Sequence, residues 1–354
     1  MGLGHIVAVG TSVPEFVLSQ EEAEDFAQEV FRDSYPNIDR YLPVFKNTQV
    51  QSRRLSRPKE WFKSEPSFAQ RNEAYIETAC QLGEEAIQRC LASAELDMKD
   101  VDHLFFVSTS GLATPSIDAR LINRMGVSRH VKRTPIWGLG CSGGAAGLAR
   151  AWEYVRAFPQ SKALLLAVEL CSLTFRRSDQ SKSNLVATSL FGDGAAAVLL
   201  AGSEALDRNA SYPRILDGLS TTWPDSLDIM GWEVADDGLK VVFSKDIPSL
   251  VQREVRPVAE QFLTQWDLSL NDINRLIAHP GGQKVLKAYT KALDLPNHLL
   301  DHAYSVLKDY GNMSSATVLF VLERELREEY RKGDHGLLMA LGPGFSSEML
   351  LLQW

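Results

Sequence analysis

Two stretches, "LDMKDVDHLFFVSTSG" (Leu96–Gly111) and "LSLNDINRLIAHPGG" (Leu268–Gly282), decide how this chain is read. Leu, Asp, a β-branched residue and Leu recur at one offset, as Leu96/Leu268, Asp100/Asp272, Val101/Ile273 and Leu104/Leu276. Each stretch predicts a short turn followed by a buried strand, because an apolar run of strand length ends in Gly or Ser/Thr. A second pair keeps almost the same register: "LGCSGGAAGLARAWEYV" from Leu139 and "YGNMSSATVLFVLEREL" from Tyr310. In both, Gly leads into one polar residue, then small residues, then a helical stretch. Small residues let a helix approach another backbone closely, and glycine permits the dihedrals of the bend. Apolar strands follow both helices: "ALLLAVELCS" then "GAAAVLLAG", and "GLLMALGPG" then "SEMLLLQW". This alternation predicts an α/β chain, written twice, with mostly parallel sheets covered by helices. The expected halves are residues 1–205 and 206–354, packed as two sheets.

With 354 residues, 45% hydrophobic and 23% charged, the chain has ample length for two such halves. Its formal net charge of −8 argues against nucleic acid as a partner. The opening "MGLGHIVAVGTSVP" has no basic n-region or small-residue cleavage site, so no signal peptide is expected. No apolar run reaches the roughly 18 residues of a membrane span. Cys80, Cys90, Cys141 and Cys171 form no CxxC pair. Neither a disulfide framework nor a metal site is therefore expected, and a reducing cytoplasm is the natural compartment.

The duplication also carries chemistry. Cys141 and Asn312 occupy equivalent places at the starts of the two helices. Pseudo-twofold packing would bring those starts face to face, with His279 at strand-end level, where α/β sheets hold ligands. A cysteine at a helix N-terminus with a histidine nearby can have its thiol pKa drawn from about 8.5 toward about 3.5–7.5. An Asn312 N–H and a His279 imidazole N–H can together hold negative charge on a carbonyl oxygen. Such a set suits acyl transfer to sulfur and stabilisation of an enolate. Each residue alone has a plainer reading: inert packing for the cysteine, a structural strand-end histidine, a turn or cap asparagine. Their joint placement at duplicated positions favours function. The basic run "KNTQVQSRRLSRPKEWFK" (Lys46–Lys63) reads either as solvated surface or as a landing site for a phosphorylated ligand.

Together, "GCSGGAAGL", "LFGDGAAAV", "IAHPGG", "YGNMSSATVLFVLE" and the late "GPG" resemble the type III polyketide synthases, the chalcone synthase group. The segment "FKNTQVQSR…KEWF" is most similar to bacillus-type bacterial members that make alkylpyrones. The resemblance implies a thiolase fold, with duplicated α/β halves in five α-β-α-β-α layers, and a homodimer. It implies that Cys141 is loaded with an acyl group from a CoA thioester. His279 and Asn312 would bind the malonyl-CoA thioester and stabilise the enolate left by decarboxylation. Acyl-CoA and malonyl-CoA are then substrates, and no metal or redox cofactor is implied. Phe191 falls at the family's gatekeeper phenylalanine. Thr109 and Thr174 match polar cavity positions, Gly231 a cavity-shaping glycine, and Lys46, Arg53 and Arg54 are candidates for CoA phosphates.

Three departures bear on the product. Val241 stands where plant members have a second gatekeeper phenylalanine, and Thr114 where a methionine reaches the partner subunit. "ALGPG" replaces the usual Gly-Phe-Gly-Pro-Gly. These imply a roomier cavity, a long-chain fatty acyl-CoA starter, and an alkylpyrone or alkylresorcinol product. The competing readings are a single-condensation β-ketoacyl-ACP synthase III, a catalytically silent thiolase-fold subunit, and a cysteine hydrolase.

Overall fold

The computed structural model describes residues 2–206 and 212–354. The first half contains strands β1 (Gly4–Ser12), β2 (Phe16–Ser19), β3 (Ser52–Leu55), β4 (His103–Val107), β5 (Lys132–Ile136), β6 (Lys162–Leu170) and β7 (Asp193–Gly202). Its helices are α1 (Gln20–Phe31), α2 (Pro43–Asn47), α3 (Lys59–Lys63), α4 (Phe68–Ser93), α5 (Ile117–Met125), α6 (Gly143–Ala157) and α7 (Lys182–Leu190). The second half contains β8 (Arg214–Thr222), β9 (Met230–Ala235), β10 (Gly238–Phe243), β11 (Ile273–Ala278), β12 (His335–Gly342) and β13 (Ser346–Gln353). Its helices are α8 (Ile247–Thr264), α9 (Gln283–Leu293), α10 (Asp301–Tyr310) and α11 (Thr317–Glu325).

The sequence repeat is a repeat of structure. β4 pairs parallel with β6, which pairs antiparallel with β7. In the same order β11 pairs parallel with β12, and β12 antiparallel with β13. The turns leading into β4 and β11 match as well. Each is a 3₁₀ turn, Met98–Asp100 or Leu270–Asp272, closed by its last residue. The Asp97 N–H donates to the Asp100 carboxylate at 2.9 Å, and the Ser269 N–H to that of Asp272 at 2.8 Å. The repeated Asp is thus a reciprocal cap that turns the chain into its strand. β6 and β7 are buried almost throughout, as strands covered on both faces must be.

Two expectations are corrected: the main ladder is mostly antiparallel, parallel only where β4 pairs with β5 and β6 and where β11 pairs with β12. The strands do not form two separate sheets but one ladder, β11-β12-β13-β8-β1-β7-β6-β4-β5. Its wings meet through two residue pairs, Gly4↔Ile215 and His5↔Arg214. The open edge of β1 carries unpaired backbone groups, and the start of β8 satisfies them. Between the wings lie α6, packed on β4, β6 and β7 and also on β12 and β13, and α11, packed on β1, β7, β11 and β12. α4 covers the outer face of β1, β6 and β7, while α8 and α9 bury their apolar faces in the core of the second wing. These are the five layers of the thiolase fold. The glycines after Cys141 make the central layer possible: a Cβ on Gly144 would lie 2.1 Å from the Ser315 carbonyl oxygen. No described helix is long and apolar enough to cross a membrane.

Candidate active site

Cys141 sits in a 3₁₀ turn, Gly140–Ser142, that runs directly into α6. Gly140 adopts φ +49°, and a Cβ there would strike the Pro343 ring at 2.7 Å. The "GPG" loop of the second half therefore seats on the cysteine turn, and only glycine allows it. Cys141 keeps partial exposure, whereas Cys80, Cys90 and Cys171 are buried.

Asn312 precedes the matching 3₁₀ turn, Ser314–Ala316, that opens α11. Its side-chain oxygen accepts from the Ser314 N–H at 2.8 Å and from the Thr317 hydroxyl at 3.4 Å. Two donors on one oxygen assign the amide orientation and leave Nδ2 as the free, donating end. One of its N–H groups is directed at the Gly281 carbonyl, 3.4 Å away in the "HPGG" turn. Asn312 therefore ties the histidine loop to the cysteine side, and its side chain and that of Ser314 stand close enough to the Cys141 thiol to favour its ionised form.

His279 continues β11 by one residue, its N–H donating to the Met339 carbonyl at 2.8 Å. The ring is buried, and neither ring nitrogen has a hydrogen-bond partner among the described residues. No hydrogen bond joins Cys141 to His279. Burial pushes the Cys141 thiol up to about 11, with the Glu169 charge adding and the Ser314 and Asn312 hydrogen bonds opposing. Burial lowers the His279 imidazole to about 3. Charged together, thiolate and imidazolium would each supply the opposite charge that offsets the other's desolvation.

Sequence reading missed Glu169. This buried carboxylate at the end of β6 accepts from the Thr109 N–H and hydroxyl, at 3.1 and 2.8 Å. It also accepts from the Ser110 N–H and hydroxyl and, at 2.6 Å, from the Ser315 hydroxyl. Burial raises its pKa against those five donors. A single Glu inside "KALLLAVEL", in a strand buried on both faces, was the available signal. Thr109 thus spends its hydroxyl on Glu169.

Beyond the triad lies an apolar cavity lined by Leu18, Phe26, Leu55, Phe62, Phe175 and Val241, with Cys171, Thr174 and Phe191 in its wall. Thr174 donates to the Cys171 carbonyl at 2.7 Å. Phe191 packs on Trp232 and Phe243, ring centroids 6.0 and 5.5 Å away, and clusters with Val241. An aromatic neighbour for Phe191 is therefore present, from Phe243, two residues past Val241. Gly231, at φ +153°, faces Pro343 with open space, while it is Trp232 that packs on Phe191. Thr114 is exposed on the loop after Gly111 and joins none of these groups.

The basic candidates divide. Lys46 is exposed at the end of α2, and Arg54 is half-buried in β3. Arg53 is corrected: it is 1% exposed, and its guanidinium donates to the Thr188 and Phe191 carbonyls at 2.7 and 3.3 Å and to the Gln20 amide oxygen. Both terminal nitrogens are committed to internal acceptors, and what remains, an Nε without a partner among the described residues, lies at the wall of the cavity and away from the surface. Lys59, which no sequence argument singled out, lines the cavity and pairs with Glu22 at 3.3 Å.

Residues 1–204 match the family model described as "Chalcone and stilbene synthases, N-terminal domain", and 217–354 its C-terminal counterpart. A Bacillus subtilis (strain 168) protein named "Putative chalcone synthase" is 47% identical, covering 99% of both chains. The 1,3,6,8-tetrahydroxynaphthalene synthase of Streptomyces peucetius subsp. caesius is 40% identical over 99% of this chain and 93% of its own length. The solved structure of the Streptomyces coelicolor A3(2) enzyme of that name, a bacterial type III polyketide synthase, superposes with TM-score 0.93 at 31% identity, covering 99% of each chain.

Proposed function

Because the chain belongs to the chalcone and stilbene synthase family of type III polyketide synthases, acyl-condensing transferases that use acyl-CoA and malonyl-CoA, we propose the following division of labour. The Cys141 thiol passes its proton to His279, and the thiolate so formed attacks the starter thioester carbonyl. CoA leaves as its thiolate, which takes the proton back from the imidazolium. Malonyl-CoA then binds with its thioester oxygen against the Asn312 Nδ2–H and a His279 ring N–H. Its C–C bond breaks, carbon dioxide leaves, and the electron pair passes onto that oxygen as an enolate. The enolate carbon attacks the acyl-cysteine, a C–C bond forms, and the cysteine thiolate is expelled for another round. Asn312 carries this reading, because its amide is held with the donating end beside the thiol.

The halves 1–205 and 206–354 divide these roles, the first bearing the nucleophile and the second the two donors. The starter we assign is a long-chain fatty acyl-CoA, ending as an alkylpyrone. Support comes from the apolar walls of the cavity beside Phe191, the residue at the family's gatekeeper position. A homodimer is supported by the exposed edge strand β5 and by Trp137 and Leu112, 52% and 44% exposed. A cytoplasmic location is supported by four free cysteines. Incubation with malonyl-CoA and a fatty acyl-CoA series, without carrier protein, tests the function by mass spectrometry. Masses of two or three decarboxylative extensions followed by release of CoA are expected. Activity restored only by malonyl-ACP would replace this reading with a single-condensation synthase.

A further inference from the structure

The walls of the apolar cavity differ in how they are anchored. Leu18, Phe26, Leu55 and Phe62 belong to the large core cluster under α4. Phe191 and Val241 belong to a cluster of four buried residues, completed by Cys171 and Ala187. Val241, with Trp232 and Phe243, comes from the β9–β10 hairpin, a two-stranded sheet separate from the main ladder. Such a ribbon is marginal without further support. Inside the cavity there is room for the centres of only a few waters, about 60 Å³. The hairpin is the wall of this cavity that the main ladder does not anchor, so its position sets the room left for an acyl chain.

Besides the packing of β10 on α7 and the Phe191 cluster, the hairpin is held at its tip. The Asp237 carboxylate meets the Arg176 guanidinium and accepts from the Ser178 hydroxyl at 2.6 Å. Its carbonyl accepts from Arg71, whose other nitrogen donates to the Phe175 carbonyl at 3.1 Å. Gly238 turns the chain at φ +134°, and a Cβ there would crowd the same Arg71 nitrogen at 3.0 Å. Arg176 is nearly buried, its Nε and Nη1 make no hydrogen bond, and its second carboxylate, Asp179, stands 3.9 Å off. Arg176 and Ser178 follow directly on the Cys171–Phe175 segment that walls the cavity. One carboxylate thus fastens the free end of the hairpin to the continuation of the opposite wall.

We propose that Asp237 is a positioning residue: its clamp sets how far the β9–β10 hairpin stands from Phe191, and so which acyl starters the cavity admits. The proposal rests on the cavity being the acyl site, as read above. Asp237→Asn removes the charge at nearly constant shape, and Asp237→Ala removes the clamp side chain outright. Two readouts separate the clamp from the reaction. By hydrogen exchange, peptides covering residues 230–243 should exchange faster in both variants, most in Asp237→Ala. In competition among acyl-CoA starters, kcat/KM for the longest starter relative to the wild-type favourite should rise about tenfold. Malonyl-CoA decarboxylation should stay within about twofold, because no group that holds its thioester has moved.

Unchanged exchange at 230–243 overturns the clamp. Faster exchange with an unchanged starter ratio, or with all starters and decarboxylation falling together, overturns its role in selection. Wild-type protein that condenses no acyl-CoA starter overturns the acyl-site reading, and selection with it, while exchange still decides the clamp.

Discussion

Phe191 and Asn312 form an isolated parallel bridge: the Asn312 N–H donates to the Leu190 carbonyl at 2.8 Å, and the Gly192 N–H to the Asn312 carbonyl at 3.0 Å. The aromatic side chain at the cavity and the amide beside the thiol therefore stand on one rung of backbone. A displacement of one is transmitted to the other without any side-chain intermediary.

Asn312→Asp keeps an acceptor for the Ser314 N–H but replaces the free donor with an oxygen. Loss of one oxyanion donor costs about 10²–10³-fold. Acetyl-CoA formation from malonyl-CoA should fall by that factor, and a near wild-type rate would remove Asn312 from oxyanion stabilisation.

Cys141→Ala should abolish extension of any starter while acetyl-CoA release from malonyl-CoA continues, since the two donors remain. Product analysis by mass spectrometry distinguishes the activities. Residual condensation would mean that another thiol, such as Cys171 in the cavity wall, carries the chain.

In that same variant the pH profile reports on His279 alone. Burial lowers the imidazole to about 3, so it stays neutral above that value and keeps one N–H to donate. The decarboxylation rate of Cys141→Ala should therefore show no histidine inflection between about pH 5.5 and 8. A half-drop near the ordinary value of about 6.5 would mean that the ring is solvated and charged in the working state.

Gly144→Ala places a methyl group against the Ser315 carbonyl oxygen and forces α6 away from the turn before α11. Overpacking of this kind costs about 1–3 kcal/mol. Urea unfolding should show a lower midpoint with an unchanged slope. A stability equal to wild type would mean that the helices have room to separate.

Asp193→Asn tests the "LFGDG" turn. Its two oxygens accept from the Ser172 N–H at 2.7 Å, the Ser56 N–H at 2.7 Å and the Ser172 hydroxyl. Either orientation of an asparagine amide would set its NH₂ against a buried N–H. Leaving such a donor unpaired costs about 1–3 kcal/mol, read as a lowered unfolding midpoint at neutral pH.

The features legible in the sequence are those written locally. Asp100 and Asp272 cap turns three residues long, and Gly144 betrays close approach by its own lack of a side chain. Cys141 and Asn312 could be placed opposite each other because each sits in register with its helix. What stayed hidden depends on distant partners. Arg53 looked like a surface cation until Gln20, Thr188 and Phe191 closed around it. Trp232 and Phe243 carry no local sign of a partner, and only the fold turns them onto Phe191. The join of β1 to β8 involves two residue pairs, too few to leave a pattern.

The close seating of α6 on Ser315 has a consequence for the nascent chain. Synthesis runs from the N-terminus, so Cys141 and the glycine face of α6 emerge long before residues 312–317 exist to cover them. Until the last strands are made, the thiol stands open to oxidants and electrophiles with neither Asn312 nor Ser314 beside it. Its seclusion is a property of the finished polypeptide alone, and premature termination anywhere ahead of Asn312 would release a chain with a bare, chemically vulnerable cysteine.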